Sequence, residues 1–157
     1  MNKKVYQFEF EEYDSSIALN KEDSELFMAA GQATGNAYAP YSKFNVGAAA
    51  RLINGEIITG ANQENASFPA GLCAEGVVLA AASSRFPNVA IDAIAVTYLS
   101  GTGASDQPVS PCGICRQSMQ EHRLRMGRPI RLIMGGATGK IIAVGDASNL
   151  MPFAFKF

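Results

Sequence analysis

FNVGAAARLINGEIITGA occupies residues 44–61, and its two apolar runs, 44–53 and 56–61, flank Asn54-Gly55. Asn-Gly between apolar runs predicts a β-hairpin, because both residues tolerate positive φ. Downstream, residues 73–86 read as a buried helix rich in Ala, Val and Leu, and 91–99 as a strand. A glycine-containing loop covers 100–110. A helix follows over 112–126, with Arg123 and Arg125 near its end, where positive charge suits the helix dipole. Residues 130–134 and 140–144 read as strands joined by a glycine-rich turn. A helical turn at 147–150 then leads into an aromatic tail of Phe153, Phe155 and Phe157.

Upstream, Asp23 or Ser24 is positioned to cap a helix over 25–38, with apolar Leu26, Ala29, Ala30 and Ala33 at helical spacing. Pro40 is expected to stop it. Tyr6, Phe8 and Phe10 alternate with polar residues, a period of two that suits a strand or an arm laid on a neighbour. The alternation of strands and helices predicts an α/β fold, a three-layer α/β/α sandwich around a mixed five-stranded sheet. Residues 1–157 read as one domain, with 1–16 as an amino-terminal arm or extra strand.

With 157 residues, 48% hydrophobic and 17% charged, the chain is long and apolar enough to bury a core without disulfides. A net charge of −1 gives no general pull toward nucleic acid or anionic membrane. Lys3 and Lys4 precede Glu9, Glu11, Glu12 and Asp14 with no apolar stretch between them, so no secretory signal is expected. No apolar run approaches the ~18 residues of a membrane helix. Three cysteines form no tidy disulfide framework, and a reducing cytoplasm is the expected location.

Those cysteines carry the chemistry. They sit in Cys73-Ala74-Glu75 and Pro111-Cys112-Gly113-Ile114-Cys115. Pro111 marks a helix start, so Cys112 and Cys115 fall in a first turn, where unpaired N–H groups favour thiolates. Cys73 occupies the same kind of place on the preceding helix, and two helix ends could converge on one cation. Three thiolates would hold zinc with a fourth position open to water, the catalytic rather than the structural arrangement. Glu75 is placed to move protons there, although a first-turn glutamate is also favoured by the dipole alone. His122 lies two helical turns beyond Cys115, about 10 Å along the axis. It is expected to be an ordinary surface histidine and not a fourth ligand.

Four stretches extend this pattern: Tyr41-Ser42-Lys43-Phe44-Asn45-Val46-Gly47-Ala48-Ala49, Asn62-Gln63-Glu64-Asn65-Ala66-Ser67-Phe68-Pro69, Cys73-Ala74-Glu75, and Ser110 to Gln117. With the tail Leu150-Met151-Pro152-Phe153-Ala154-Phe155, they resemble the small, homotetrameric, zinc-dependent cytidine deaminases. The resemblance implies one Zn2+ per subunit on Cys73, Cys112 and Cys115, with Glu75 as the acid–base group. It implies Asn62 and Glu64 on the ribose, Phe44 against the pyrimidine, and the Ala74 N–H on the base carbonyl. The Ser110 carbonyl would receive the leaving amino group, and Phe155 would reach a neighbouring subunit's site. The implied reaction turns cytidine and 2′-deoxycytidine into uridine and deoxyuridine, releasing ammonia, in pyrimidine salvage.

Two positions depart from that family. Gly76 stands where members carry arginine after Cys-Ala-Glu, and three thiolates leave a zinc site net negative. Arg116 is the remaining cation expected to balance it, with the helix dipoles. A weaker Lewis acid, a pocket widened for another substrate, and a substitute cation are the three alternative readings of that glycine. Phe68 stands where tyrosine is frequent. A related aminopyrimidine nucleoside is the alternative substrate, since blasticidin-S deaminases also carry Cys-Ala-Glu before apolar residues such as Val77, Val78 and Leu79. Deamination of a polynucleotide is disfavoured. The basic stretch 122–131 lacks interleaved aromatics. A zinc-stabilised binding protein without catalysis would not need Glu75.

Overall fold

The computed structural model of the chain describes residues 1–156, so Phe157 of the expected aromatic tail lies outside the described residues. The predicted hairpin forms from β2 (Phe44–Leu52) and β3 (Ile57–Ala61), with Gly55 at φ +88°, a left-handed value that glycine adopts without strain. The Asn54 side chain accepts the Glu56 N–H at 3.2 Å and closes the turn.

Naming the short amino-terminal strand Glu11–Tyr13 β1, the others are β4 (Ile91–Ser100), β5 (Arg131–Gly135) and β6 (Ile141–Val144). They join one mixed sheet in the order β1-β6-β5-β4-β2-β3. Only β4 and β5 pair in parallel. The sheet therefore has six strands, not the expected five. The additional strand lies in the arm, but at Glu11–Tyr13 rather than at Tyr6, Phe8 and Phe10, whose rings are exposed. Charge holds β1 at the edge: Glu11 pairs with Arg131 and Glu12 with Lys140.

Three helices sandwich the sheet as expected. α1 (Lys21–Ala33) covers one face, where Leu26, Phe27 and Ala30 meet Ala49, Ala95 and Ile133. α2 (Ala74–Arg85) and α3 (Gly113–Met126) cover the other, where Val78 and Met119 meet Ala48, Ile94 and Leu132. Successive strand residues alternate between the two cores, as the pleat requires. Among the described residues no helix is long and apolar enough to cross a membrane.

α1 starts and ends earlier than its periodicity suggests. Asn20 is the cap: its side chain accepts the Asp23 N–H at 2.9 Å and donates back to the Asp23 carboxylate at 2.9 Å. The helix stops at Ala33, well before Pro40, and a 3-10 turn (Thr34–Asn36) follows. Its last turn presses on β2, because Gly47 has no side chain: a Cβ there would lie 2.0 Å from the Ala30 carbonyl oxygen.

Asp23 does more than start the helix. Its side chain is 2% exposed and pairs with Arg131 at 2.9 Å and Arg51 at 3.4 Å, tying α1 to β5 and β2. Arg51 and Arg131 retain Asp92 and Glu11 as further partners. Asp23→Ala should therefore cost about 3 kcal/mol, the lower end for a broken buried pair. Denaturant unfolding of the variant measures it.

Candidate active site

Cys73 and Cys112 occupy the N-cap positions of α2 and α3, and Cys115 lies in the first turn of α3. Neither cap residue makes the oxygen-based cap bond that usually opens a helix. Ser, Thr, Asp or Asn would normally take those positions and satisfy first-turn N–H groups. Cysteine leaves both positive helix ends directed at whatever the sulfurs hold.

The two helix ends meet. Cys73 Sγ lies 3.7 Å from Cys112 Sγ, and Cys112 Sγ lies 3.6 Å from Cys115 Sγ. All three sulfurs fall within 4.8 Å of one another, a group able to hold a metal ion. Zinc–sulfur bonds of about 2.3 Å at tetrahedral angles separate sulfurs by about 3.8 Å, so the Cys73–Cys112 and Cys112–Cys115 separations suit zinc. Burial pushes the Cys73 thiol up to about 11, with the neighbouring Cys112 thiol adding to it. Cys115 is pushed higher still, by burial first and then by the Glu75 charge. At Cys112 burial also works upward, but the Cys115 N–H, the two other thiols and the Ile114 N–H outweigh it and bring the group down. A divalent cation reverses the burial cost for all three, because it stabilises the thiolate form.

Glu75, the second residue of α2, is 5% exposed. Burial holds its carboxyl above the usual range, against its own N–H and the Cys115 thiol, which favour the charged form. A cleft of about 320 Å³ opens beside it. Cys73, Ala74, Cys112, Ser110, Asn62 and Glu64 share its wall. The Ser110 hydroxyl donates to Met134 Sδ at 3.7 Å.

Asn62 follows β3 and is pinned to β2. Its Oδ1 accepts the Val46 N–H at 2.8 Å, and its Nδ2 donates to the Phe44 carbonyl at 3.0 Å. One amide N–H and one lone pair of that side chain are left for another partner. Glu64 accepts the N–H groups of Tyr41 at 2.9 Å and Ser42 at 3.3 Å. The Ser42 hydroxyl first, then those N–H groups, hold its carboxyl below the usual range. It is a fixed anion at the mouth of the cleft.

Residues 20–127 match the family described as the cytidine and deoxycytidylate deaminase zinc-binding region. A cytidine deaminase of Halalkalibacterium halodurans is 38% identical over 130 residues, covering 83% of this chain and 91% of that protein. The crystal structure of a cytidine deaminase from Burkholderia pseudomallei superposes with a TM-score of 0.72 at 35% identity, covering 83% of this chain and 97% of that one. A second, from Mycobacterium tuberculosis, gives a TM-score of 0.65 at 34% identity, covering 85% and 96%. The chain belongs to the cytidine deaminase family.

It is thus an enzyme of an aminohydrolase family, and the remaining expected residues can be placed against the cleft. Phe44 stacks on Tyr98, with ring centroids 4.5 Å apart, and stands on the strand face that Val46 also occupies. Phe155 does not line the cleft of its own chain; it is exposed on the α3 side, where its carbonyl accepts from Gln117 at 3.0 Å. Phe68 is exposed and meets Tyr41 edge-on at 6.2 Å. Four apolar wall residues escaped sequence reading: Val46, Leu72, Val96 and Val109. Val46 shares parity with Phe44 and sits inside the motif at 41–49, which was the available signal. Val96 looks like any other core valine in a strand.

His122 corrects an expectation. It is buried, not a surface residue, and stands outside the cysteine cluster. Its Nε2 accepts the Ile91 N–H at 3.2 Å, so it fastens α3 to the start of β4. Burial first, then Arg125, lowers its pKa and favours the neutral ring.

Arg116 lies beside the cysteines, but its hydrogen bonds go to carbonyls, Pro111 at 2.8 Å and Leu150 at 3.0 Å. Gly76 does not line the cleft, so its missing side chain does not widen it. It faces a groove between α2 and α3, shared with Gln117 and Glu121, and a Cβ there would meet nothing within 4 Å. Gln117 Oε1 is buried without a partner in that same groove.

Cys115→Ala should lose bound metal, and elemental analysis of the purified variant checks it. Gly76→Arg should be accommodated, gain roughly 0.5–1 kcal/mol of helix stability, and hold or raise turnover. Thermal unfolding together with a deamination assay tests both halves of that outcome.

Proposed function

We propose that the chain is a single-domain, zinc-dependent hydrolase that converts cytidine and 2′-deoxycytidine to uridine and deoxyuridine. Water is consumed and ammonia released, in cytoplasmic pyrimidine salvage. The observation that carries this reading is the cluster of three sulfurs, with Cys112 Sγ 3.7 Å from Cys73 Sγ and 3.6 Å from Cys115 Sγ, and with buried Glu75 beside it in a cleft that also presents Asn62 and Glu64.

Cys73, Cys112 and Cys115 would hold one Zn2+ per subunit, and the metal would supply a Lewis acid that makes water a nucleophile near neutral pH. Glu75 takes a proton from that water at its carboxylate and delivers it to the ring nitrogen next to the amino-bearing carbon. It then carries a second proton to the departing amino group. Burial, which favours the protonated carboxyl, suits a group that must hold a proton between these transfers. The Ala74 N–H, at an uncapped helix start, orients the base carbonyl, and the Ser110 carbonyl receives the amino group. Asn62 and Glu64 bind the ribose hydroxyls. A buried sugar hydroxyl needs matched polar partners, and a fixed anion is a strong acceptor. Phe44 borders the pyrimidine.

Phe155, exposed on its own chain, reaches the site of a neighbouring subunit, so the working form is a homotetramer with shared sites. Free nucleoside is the substrate; nucleic acid and membrane are not partners. Arg116 contributes positive charge beside Cys112 while its hydrogen bonds hold the adjacent backbone.

A panel of cytidine, 2′-deoxycytidine and blasticidin S, followed by the absorbance loss on deamination, tests the substrate. Turnover of the first two is expected; turnover of blasticidin S alone would overturn the reading. Glu75→Gln should keep its zinc and lose turnover by about 10²- to 10⁴-fold, because the proton shuttle is gone.

A further inference from the structure

The amino-terminal arm lies outside the matched region 20–127, yet it is bonded to the segment that braces the cysteine loop. We propose that Tyr6 is a positioning residue for the active site, acting through the carboxy-terminal tail and Arg116. The proposal rests on the zinc deaminase reading above.

The connection runs through a short series of hydrogen bonds. The Tyr6 hydroxyl donates to Asn149, 3.0 Å from its carbonyl oxygen and 3.3 Å from its Oδ1. Asn149 lies in the 3-10 turn Ala147–Leu150, which Asp146 caps by accepting the Ser148 N–H at 2.9 Å. Arg123 of α3 holds that cap from the other side at 2.7 Å. The carbonyl of Leu150, the next residue, accepts from Arg116 at 3.0 Å. The same guanidinium donates to the Pro111 carbonyl at 2.8 Å, one peptide before Cys112. Arg116 thus joins the tail to the loop that presents a metal-binding sulfur.

The tail needs to be held. Phe153 has φ +59°, a left-handed value that a bulky residue adopts only where its surroundings impose it. Its ring is fully exposed, so ring packing does not offset the strain. Hydrogen bonds to the backbone on either side do: Arg116 at Leu150 and Gln117 at Phe155. Both come from α3. Tyr6 adds a third anchor from a different part of the chain, and it also lines the hollow between arm and tail with Gln120, Arg123 and Met151. Fixing the tail fixes where Phe155 projects and keeps the Leu150 carbonyl in reach of Arg116.

Tyr6→Phe removes only the hydroxyl of a half-exposed ring, so the fold is retained. Three measurements on zinc-loaded protein decide the proposal: amide hydrogen exchange over 147–155, the rate of zinc loss to a chromogenic chelator, and KM and kcat for cytidine. Exchange in the tail and zinc loss should both rise about threefold to tenfold, the range of one hydrogen bond. KM should rise while kcat stays put, and the global unfolding midpoint should fall by no more than a few degrees. Tail exchange equal to that of the unaltered protein overturns the proposal. Faster exchange with unchanged zinc loss and KM overturns it too, leaving Tyr6 a local brace. Failure of the functional reading looks different: the unaltered protein would neither retain zinc nor deaminate cytidine.

Discussion

The direction of two strands governs everything at the catalytic end of this molecule. β3 and β4 are each antiparallel to β2, on its two sides, so they run the same way. Each is followed by a helix on the same face of the sheet, α2 after β3 and α3 after β4. β5 is parallel to β4, which obliges the intervening chain to cross over the sheet rather than turn back in a hairpin. Both helices therefore begin at the carboxyl ends of their strands, the edge where open α/β sheets gather ligands. Sulfurs 39 residues apart in the chain meet there at 3.7 Å.

That convergence has an electrostatic consequence. Two helix starts point at the same spot, and neither has a conventional oxygen cap. Two positive dipole ends favour an anionic form of the cluster that they face. The arginine expected after Glu75 is replaced by Gly76, and the nearby guanidinium of Arg116 is bonded to backbone carbonyls. Charge balance in this member thus leans on helix ends, and on a cation held in place for a second reason, bracing the loop before Cys112.

Much of this was legible along the chain. The hairpin at 44–61, the helix after Cys73 and the helix after Pro111 fall where turn chemistry and spacing place them. Local signals suffice there because Gly55 and the helix starts depend on backbone preferences of a few adjacent residues. Elements decided by distant partners were read less well. The amino-terminal strand formed at Glu11–Tyr13, where ion pairs to Arg131 and Lys140 hold it, and not where aromatic alternation suggested. α1 ended at Ala33, where its last turn packs closely against Gly47 in β2. His122 is inside because β4 offers it an N–H, and nothing near it in sequence says so.

By itself, then, the sequence determined which residues can do the chemistry. Three thiols and a carboxylate two residues after the first are an intrinsic donor and proton-carrying set, whatever surrounds them. It also determined the local elements that carry them. Tertiary structure alone decided that the sulfurs share one site, that Gly76 opens onto the α2–α3 groove rather than the cleft, and that Arg116 and Tyr6 brace the tail. Those outcomes depend on strand direction and on contacts between residues far apart in the chain. Neither residue type nor spacing encodes such contacts until the sheet has formed.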